Sequence, residues 1–181
     1  QGVTAIHNMG SWSDLEVFAR THRAGKLMTR IYAAVPLRSW EKLRDAVAAK
    51  TYGGNGRGDA WLKVGALKGF VDGSLGSHTA AFHEPFADAP RDRGLFVNTP
   101  DDLYRWISGA DKAGLHVLVH AIGDRANATL LDIFERADLV YGPLVDVKEF
   151  PENVDVCLVE GSVSSEDDLE RIHIVRERTK V

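Results

Sequence analysis

Two polar residues stand inside apolar runs, where such side chains are costly and therefore informative. His120 closes the run Leu115-His116-Val117-Leu118-Val119-His120-Ala121-Ile122-Gly123-Asp124. Strand side chains alternate, so His116, Leu118 and His120 share one face and Val117 and Val119 the other. His120 falls at the strand's C-terminal end, where ligands bind in α/β folds. A neutral imidazole there is a natural metal ligand; the plainer reading is a buried histidine bonded to backbone. His116, at the strand's start, reads as structural. Lys68 lies in Gly65-Ala66-Leu67-Lys68-Gly69-Phe70-Val71-Asp72-Gly73, on one face with Phe70 and Asp72. An ammonium within an apolar strand needs a partner or a route to water. Carbamylation by carbon dioxide is the chemical alternative, because it turns the amine into an anionic oxygen ligand able to bridge two metals. Asp72-Gly73-Ser74-Leu75-Gly76-Ser77-His78-Thr79 then opens a long loop reaching about Asn98. Asp72 and His78 are its candidate substrate contacts, although a plain turn is the default for Gly-x-x-Gly.

Those residues need elements to hold them. Strands are expected at Val3–Met9, Thr29–Pro36, Ala66–Asp72, His116–Ile122 and Val154–Gly161, each a short apolar run of the kind that buried parallel strands show. Helices lie between them. Ser13 is the expected cap of one that stops near Gly25, and Ser39 of one over Trp40–Lys50. Thr99-Pro100-Asp101-Asp102 supplies a cap, a first-turn proline and an acidic residue three past the cap, and Gly114 ends that helix. This explains the Asp101-Asp102 pair without catalysis. Asp124 is the expected cap of the next helix. The predicted class is therefore α/β, with alternating βα units and a parallel sheet. Tyr52–Asp59 is Gly-rich but lacks the Gly-Lys-Ser/Thr ending of a phosphate loop, and reads as a flexible connector.

Composition excludes several functions. The chain has 181 residues, 44% of them hydrophobic, enough for one core. Its net charge of −4, without a basic run, argues against nucleic acid and anionic membranes as partners. No apolar stretch is long enough to span a bilayer. One cysteine, Cys157, excludes a disulfide framework and a protein-only iron–sulfur site within one chain, and points to a reducing, cytoplasmic compartment. No Gly-x-Ser-x-Gly elbow supports a serine hydrolase. Gln1 opens the chain without a signal-peptide pattern, so the chain reads as a piece of something longer. Net charge is +1 over residues 1–138 and −5 over 139–181. With Pro143 and Pro151 nearby, Leu139–Asn153 is the expected junction between two parts.

Taken in order, three segments resemble the amidohydrolase superfamily, in its amidohydrolase 3 branch of metal-dependent hydrolases. They are Gly2–Met9, Trp61–Ala81 with its Lys-x-x-x-Asp-Gly-Ser-Leu-Gly-Ser core, and Val119-His120-Ala121-Ile122-Gly123-Asp124-Arg125-Ala126. The resemblance covers residues 2 to about 137. It implies a partial TIM-type (β/α) barrel, about strands 2–5, and one or two divalent metals, usually zinc, activating water against an amide-like bond in a small molecule. It also implies Lys68 and His120 as metal ligands. Asp124 and Arg125 fall in the motif's helix-cap segment, at substrate-side positions. His78 stands where an arginine is common. The family's His-x-His pair, its sixth-strand histidine and its catalytic aspartate have no counterpart here, so no catalytic residue is assigned and the chain alone is expected to be inactive. Residues 139–181 resemble instead the small subunit of nickel–iron hydrogenases and the related quinone-reductase subunit, through Asp155–Val163 and Glu166-Asp167-Asp168-Leu169. They would add one further βα unit, without that family's cluster cysteines. The alternatives are a non-catalytic or engineered α/β scaffold and an electron-transfer component. Open sheet edges are expected to allow homo-oligomers.

Overall fold

The computed structural model describes residues 2–141, with side chains through residue 137. The expected strand Val154–Gly161 and the further βα unit lie outside the described residues. Four strands, β1 (Ala5–Met9), β2 (Arg30–Pro36), β3 (Leu62–Phe70) and β4 (His116–His120), form one parallel sheet in the order β1-β2-β3-β4. Helices α1 (Trp12–Arg23), α2 (Trp40–Ala48), α3 (Pro100–Lys112) and α4 (Asp124–Tyr141) complete the alternation. Each strand pairs with the next one in sequence, without the reversal of order that marks a doubly wound sheet. That is the connectivity of a (β/α) barrel segment, as expected.

Local chemistry sets the element limits, and several differ from expectation. Ser11, rather than Ser13, caps α1: its hydroxyl accepts from Asp14 N–H at 3.2 Å while Asp14 Oδ2 accepts from Ser11 N–H at 2.7 Å. This reciprocal pair engages two otherwise unpaired groups. Ser39 makes no capping bond, because its hydroxyl donates to the Pro36 carbonyl and accepts from Trp12 Nε1–H. Helix α2 stops at Ala48, and Lys50 follows in the left-handed region at φ 53°. Strand β3 begins four residues early, after Asp59 has turned the chain by accepting from Trp61 and Leu62 N–H. A bulge at Gly65 shifts its register, pairing Ala33 with Val64 but Ala34 with Ala66. Both β3 and β4 end two residues before the expected positions: after β4 the Ile122 and Gly123 N–H groups donate to the Asp72 carboxylate, and after β3 the Val71 carbonyl accepts from Val97 N–H while Gly73 N–H donates to the Thr79 carbonyl. Thr99 caps α3 as expected, accepting from Asp102 N–H at 3.2 Å. The Tyr52–Asp59 segment is a hydrogen-bonded turn, with Val64 N–H donating to the Arg57 carbonyl at 2.8 Å.

The chain divides into two compact units, residues 1–69 with 106–118, and residues 70–105 with 119–181. The first buries Leu15, Val35, Leu37, Leu43, Val64 and Leu67. The second buries Val71, Ala80, Ala81, Leu103, Leu130 and Ile133 around its one long loop.

Candidate functional site

The second unit gathers most of the candidate residues around one carboxylate. Asp72 is completely buried. Its Oδ2 accepts from the backbone N–H of Ala81 and of Gly123, each at 2.8 Å, and its Oδ1 from Ile122 N–H at 3.0 Å. These donors come from the long loop after β3 and from the turn after β4. Both segments have left the sheet, so their buried amides need another acceptor, and one charged side chain serves all three. The residue pattern offers Asp72 as a substrate contact; in the fold both of its oxygens are engaged internally.

His120 belongs to the same cluster. Its Nε2 lies 2.7 Å from the Gly73 carbonyl oxygen and 3.9 Å from Asp72 Oδ1, and its ring centre is 5.5 Å from that of Phe70. A carbonyl only accepts, so in this contact Nε2 carries a proton and donates it to Gly73. Lys68 lies in the first unit, half-buried on β3 and in register with Pro36.

The long loop is folded on itself. His78, in the left-handed region at φ 54°, stacks on Phe86 at 4.4 Å, and its Nε2 lies 3.2 Å from Asp88 Oδ2. The Ser77 hydroxyl bonds those of Ser74 and Thr79, at 2.8 and 2.6 Å. Asp124 opens α4 as its first residue instead of capping it: its Oδ1 accepts from the adjacent Arg125 N–H at 2.6 Å and from His83 N–H at 2.9 Å, tying the loop to α4. The Arg125 guanidinium lies over the Phe96 ring, 4.9 Å from its centre. Phe70, Phe96 and Arg93, which complete these arrangements, carry no chemical signature in the sequence. Only the strand alternation that groups Phe70 with Asp72 signals any of them.

The first unit holds a separate polar contact. Tyr32 Oη lies 3.1 Å from His116 Nδ1, and His7 stacks obliquely on Tyr32 at 5.2 Å. Burial, then the charges of Arg57 and His7, hold the His116 imidazole below its ordinary pKa. Burial holds the Tyr32 phenol above its own, against the opposing effect of Arg57. Both directions favour the neutral forms, so the phenol donates and the imidazole accepts.

The donor set can be compared with the divalent metal that the resemblance implies. Among the described residues, no three His, Cys, Asp or Glu side chains converge on one point. Both Asp72 oxygens already accept backbone N–H donors, and His120 Nε2 is engaged by the Gly73 carbonyl. Two implied ligands do not make a closed or a catalytic centre, each of which takes at least three protein ligands. The described residues therefore do not fit a complete metal site.

A profile of the amidohydrolase family matches residues 1–176. The chain belongs to the amidohydrolase family. This amidohydrolase chain is 37% identical over 146 residues to protein LONG AFTER FAR-RED 3 of Arabidopsis thaliana, a match covering 75% of this chain and 24% of that protein. It superposes with a TM-score of 0.73 and 29% identity on an uncharacterized metal-dependent hydrolase from Pyrococcus furiosus, covering 96% of this chain and 33% of that one. A shorter similarity, 37% over 70 residues, links it to a vhu subunit of the F420-non-reducing hydrogenase of Methanocaldococcus jannaschii, covering 38% of this chain and 23% of that protein. The chain thus spans about a quarter to a third of these three relatives. Among the described residues, no helix is long and apolar enough to cross a membrane.

Proposed function

We propose that this chain is a fragment of a metal-dependent amidohydrolase whose whole form hydrolyses an amide-like C–N bond in a small molecule. The observation that carries this reading is the family match together with the likeness to a metal-dependent hydrolase over nearly the whole chain. Within it Lys68 and His120 are metal ligands, Lys68 as a carbamate, and zinc is the metal. Asp124 and Arg125 stand on the substrate side, at the segment where the resemblance puts them. The chain works in the cytoplasm, its exposed edge strand β1 is a route to homo-oligomers, and residues 139–181 derive from a hydrogenase-type subunit. The last point is supported by the similarity to the Methanocaldococcus hydrogenase protein. The fragment by itself is inactive, because two ligands hold a metal weakly and no general base is assigned.

The test is metal analysis of the purified chain beside assays on a panel of small amides. Substoichiometric zinc and no turnover are expected. Tight, stoichiometric zinc with turnover abolished in His120→Ala would overturn the inactivity and retain the family chemistry. If Lys68→Ala and His120→Ala leave metal affinity unchanged, the two residues are not ligands and the scaffold alternative takes precedence.

A further inference from the structure

We propose that the first unit carries a site for a phosphate group, built from Tyr32, Arg57 and His116 with the exposed His7 at its rim. It uses neither Lys68 nor His120 and is independent of the hydrolase reading. Tyr32 on β2 and His116 on β4 meet across the intervening strand, Oη to Nδ1 at 3.1 Å. On that strand Gly65, at the bulge, leaves room for Arg57: a Cβ built on the glycine would lie 3.0 Å from Arg57 Nη1 and 3.4 Å from its Cδ. The arginine arm occupies the space a side chain would fill, and its Nη2 donates to the Gly114 carbonyl just before β4. His7 on β1 is the register partner of Tyr32 and stacks obliquely on its ring at 5.2 Å.

What this group lacks is a counter-charge. Beyond burial, the charges acting on His116 are those of Arg57 and His7, and the one acting on Tyr32 is that of Arg57. Among the described residues no carboxylate pairs with Arg57, His7 or His116. Arg57 Nε and Nη1 and His116 Nε2 have no hydrogen-bond partner there and are not buried, so these nitrogens stay open to water. A guanidinium held by one neutral carbonyl beside two imidazoles attracts an anion. The donors come from β2, from β4 and from the turn before β3, not along one edge. That arrangement suits the several oxygens of a tetrahedral anion better than the two of a carboxylate. The Tyr32–His116 bond also couples the anion to a proton. With His116 neutral, the phenol donates to Nδ1. Once His116 takes a proton from solvent, Nδ1–H donates to the phenol oxygen and the phenol O–H turns to the anion.

The intact chain is titrated with inorganic phosphate, methyl phosphate, sulfate and acetate in a chloride background of matched ionic strength. The readouts are the ring resonances of His7 and His116 and the Arg57 Nε–H resonance. Phosphate and sulfate are expected to shift all three saturably, and acetate to bind about tenfold more weakly. Sulfate serves for the pH comparison because its charge is constant. It should bind about tenfold more tightly at about pH 5.5 than at about pH 7.5, and should raise the pH at which His116 titrates. Methyl phosphate binding as tightly as phosphate assigns the site to phosphate monoesters; weaker binding assigns it to the free ion. Arg57→Gln and Tyr32→Phe should each weaken sulfate about tenfold. Acetate as tight as sulfate, a drift that never saturates, an affinity that does not rise as pH falls, or an undiminished response in Arg57→Gln would overturn the proposal. The anion and pH comparisons need only the unmodified chain and stand even where a variant fails to fold. No probe is an amide, so turnover or its absence leaves this result untouched.

Discussion

At Asp72 the chain takes a charged side chain out of water completely and surrounds it with backbone donors. The energetic consequence is asymmetric: satisfied, the carboxylate joins two loops; removed, it strands three buried N–H groups. Asp72→Ala should therefore lower unfolding free energy by about 3 kcal/mol or more. Asp72→Asn should cost less, since one oxygen remains, while its new N–H₂ faces donors. Urea denaturation of the two variants orders them. His116 allows a pH prediction. Its folded pKa lies below the ordinary value of 6.5, chiefly through burial. Above that value folded and unfolded chains are both neutral there, and the full stability is present. As pH falls from it toward the folded pKa, the unfolded chain takes up the proton first, and stability is lost across that window. His116→Gln should flatten this part of the stability profile, measured by thermal denaturation at stepped pH.

The element scale shows why the two loops can meet at all. Helix α4 follows β4 after only three residues, and Gly123 sits where the turn passes closest to the long loop. A Cβ built there would lie 1.9 Å from the Ala81 carbonyl oxygen. Because the obstacle is backbone, it cannot rotate aside. Gly123→Ala should then cost more than the loss of the α1 cap by Ser11→Ala, which is worth about 1 kcal/mol. It should also release the Asp72 bonds to Ile122 and Gly123, read as faster amide exchange at both positions. The loop from Gly73 to Asn98 is long enough to suggest mobility. Its own contacts argue otherwise: Val97 N–H donates to the Val71 carbonyl, Phe82 N–H to that of Arg93, and Ala80 and Ala81 are fully buried.

At the scale of the whole molecule, the decisive quantity is the share of its relatives that the chain spans, 24% of the Arabidopsis protein and 33% of the Pyrococcus chain. A (β/α) barrel of about 250 residues draws its site from the ends of several strands. The four strands among the described residues offer only some of those ends. The expected deficit in zinc and turnover accordingly belongs to this scale and not to a defect at Lys68 or His120. Strand β1 is an exposed edge carrying Ile6 and Met9, at 40% and 43% exposure, without the lysine or proline that commonly protects such strands.

Much of this was legible from residue order. Apolar runs of strand length, a Thr-Pro-Asp-Asp cap and a glycine stop identify the alternation, because hydrophobic period and capping chemistry are local properties of the chain. The motif segments around Lys68 and His120 likewise carry the family. What residue order did not determine was which polar groups face each other. Asp72 reads as a loop carboxylate until the fold brings Ala81, Ile122 and Gly123 to it, across separations of 9 to 51 residues. The same contact takes up the backbone N–H groups just past β4, which stops short of its expected end. Arg125 reads as a motif residue until the fold sets its guanidinium over Phe96 and brings Nη2 to the Arg93 carbonyl. Pairing across such distances depends on loop closure and burial, which no local pattern records, and so only the tertiary structure could decide it.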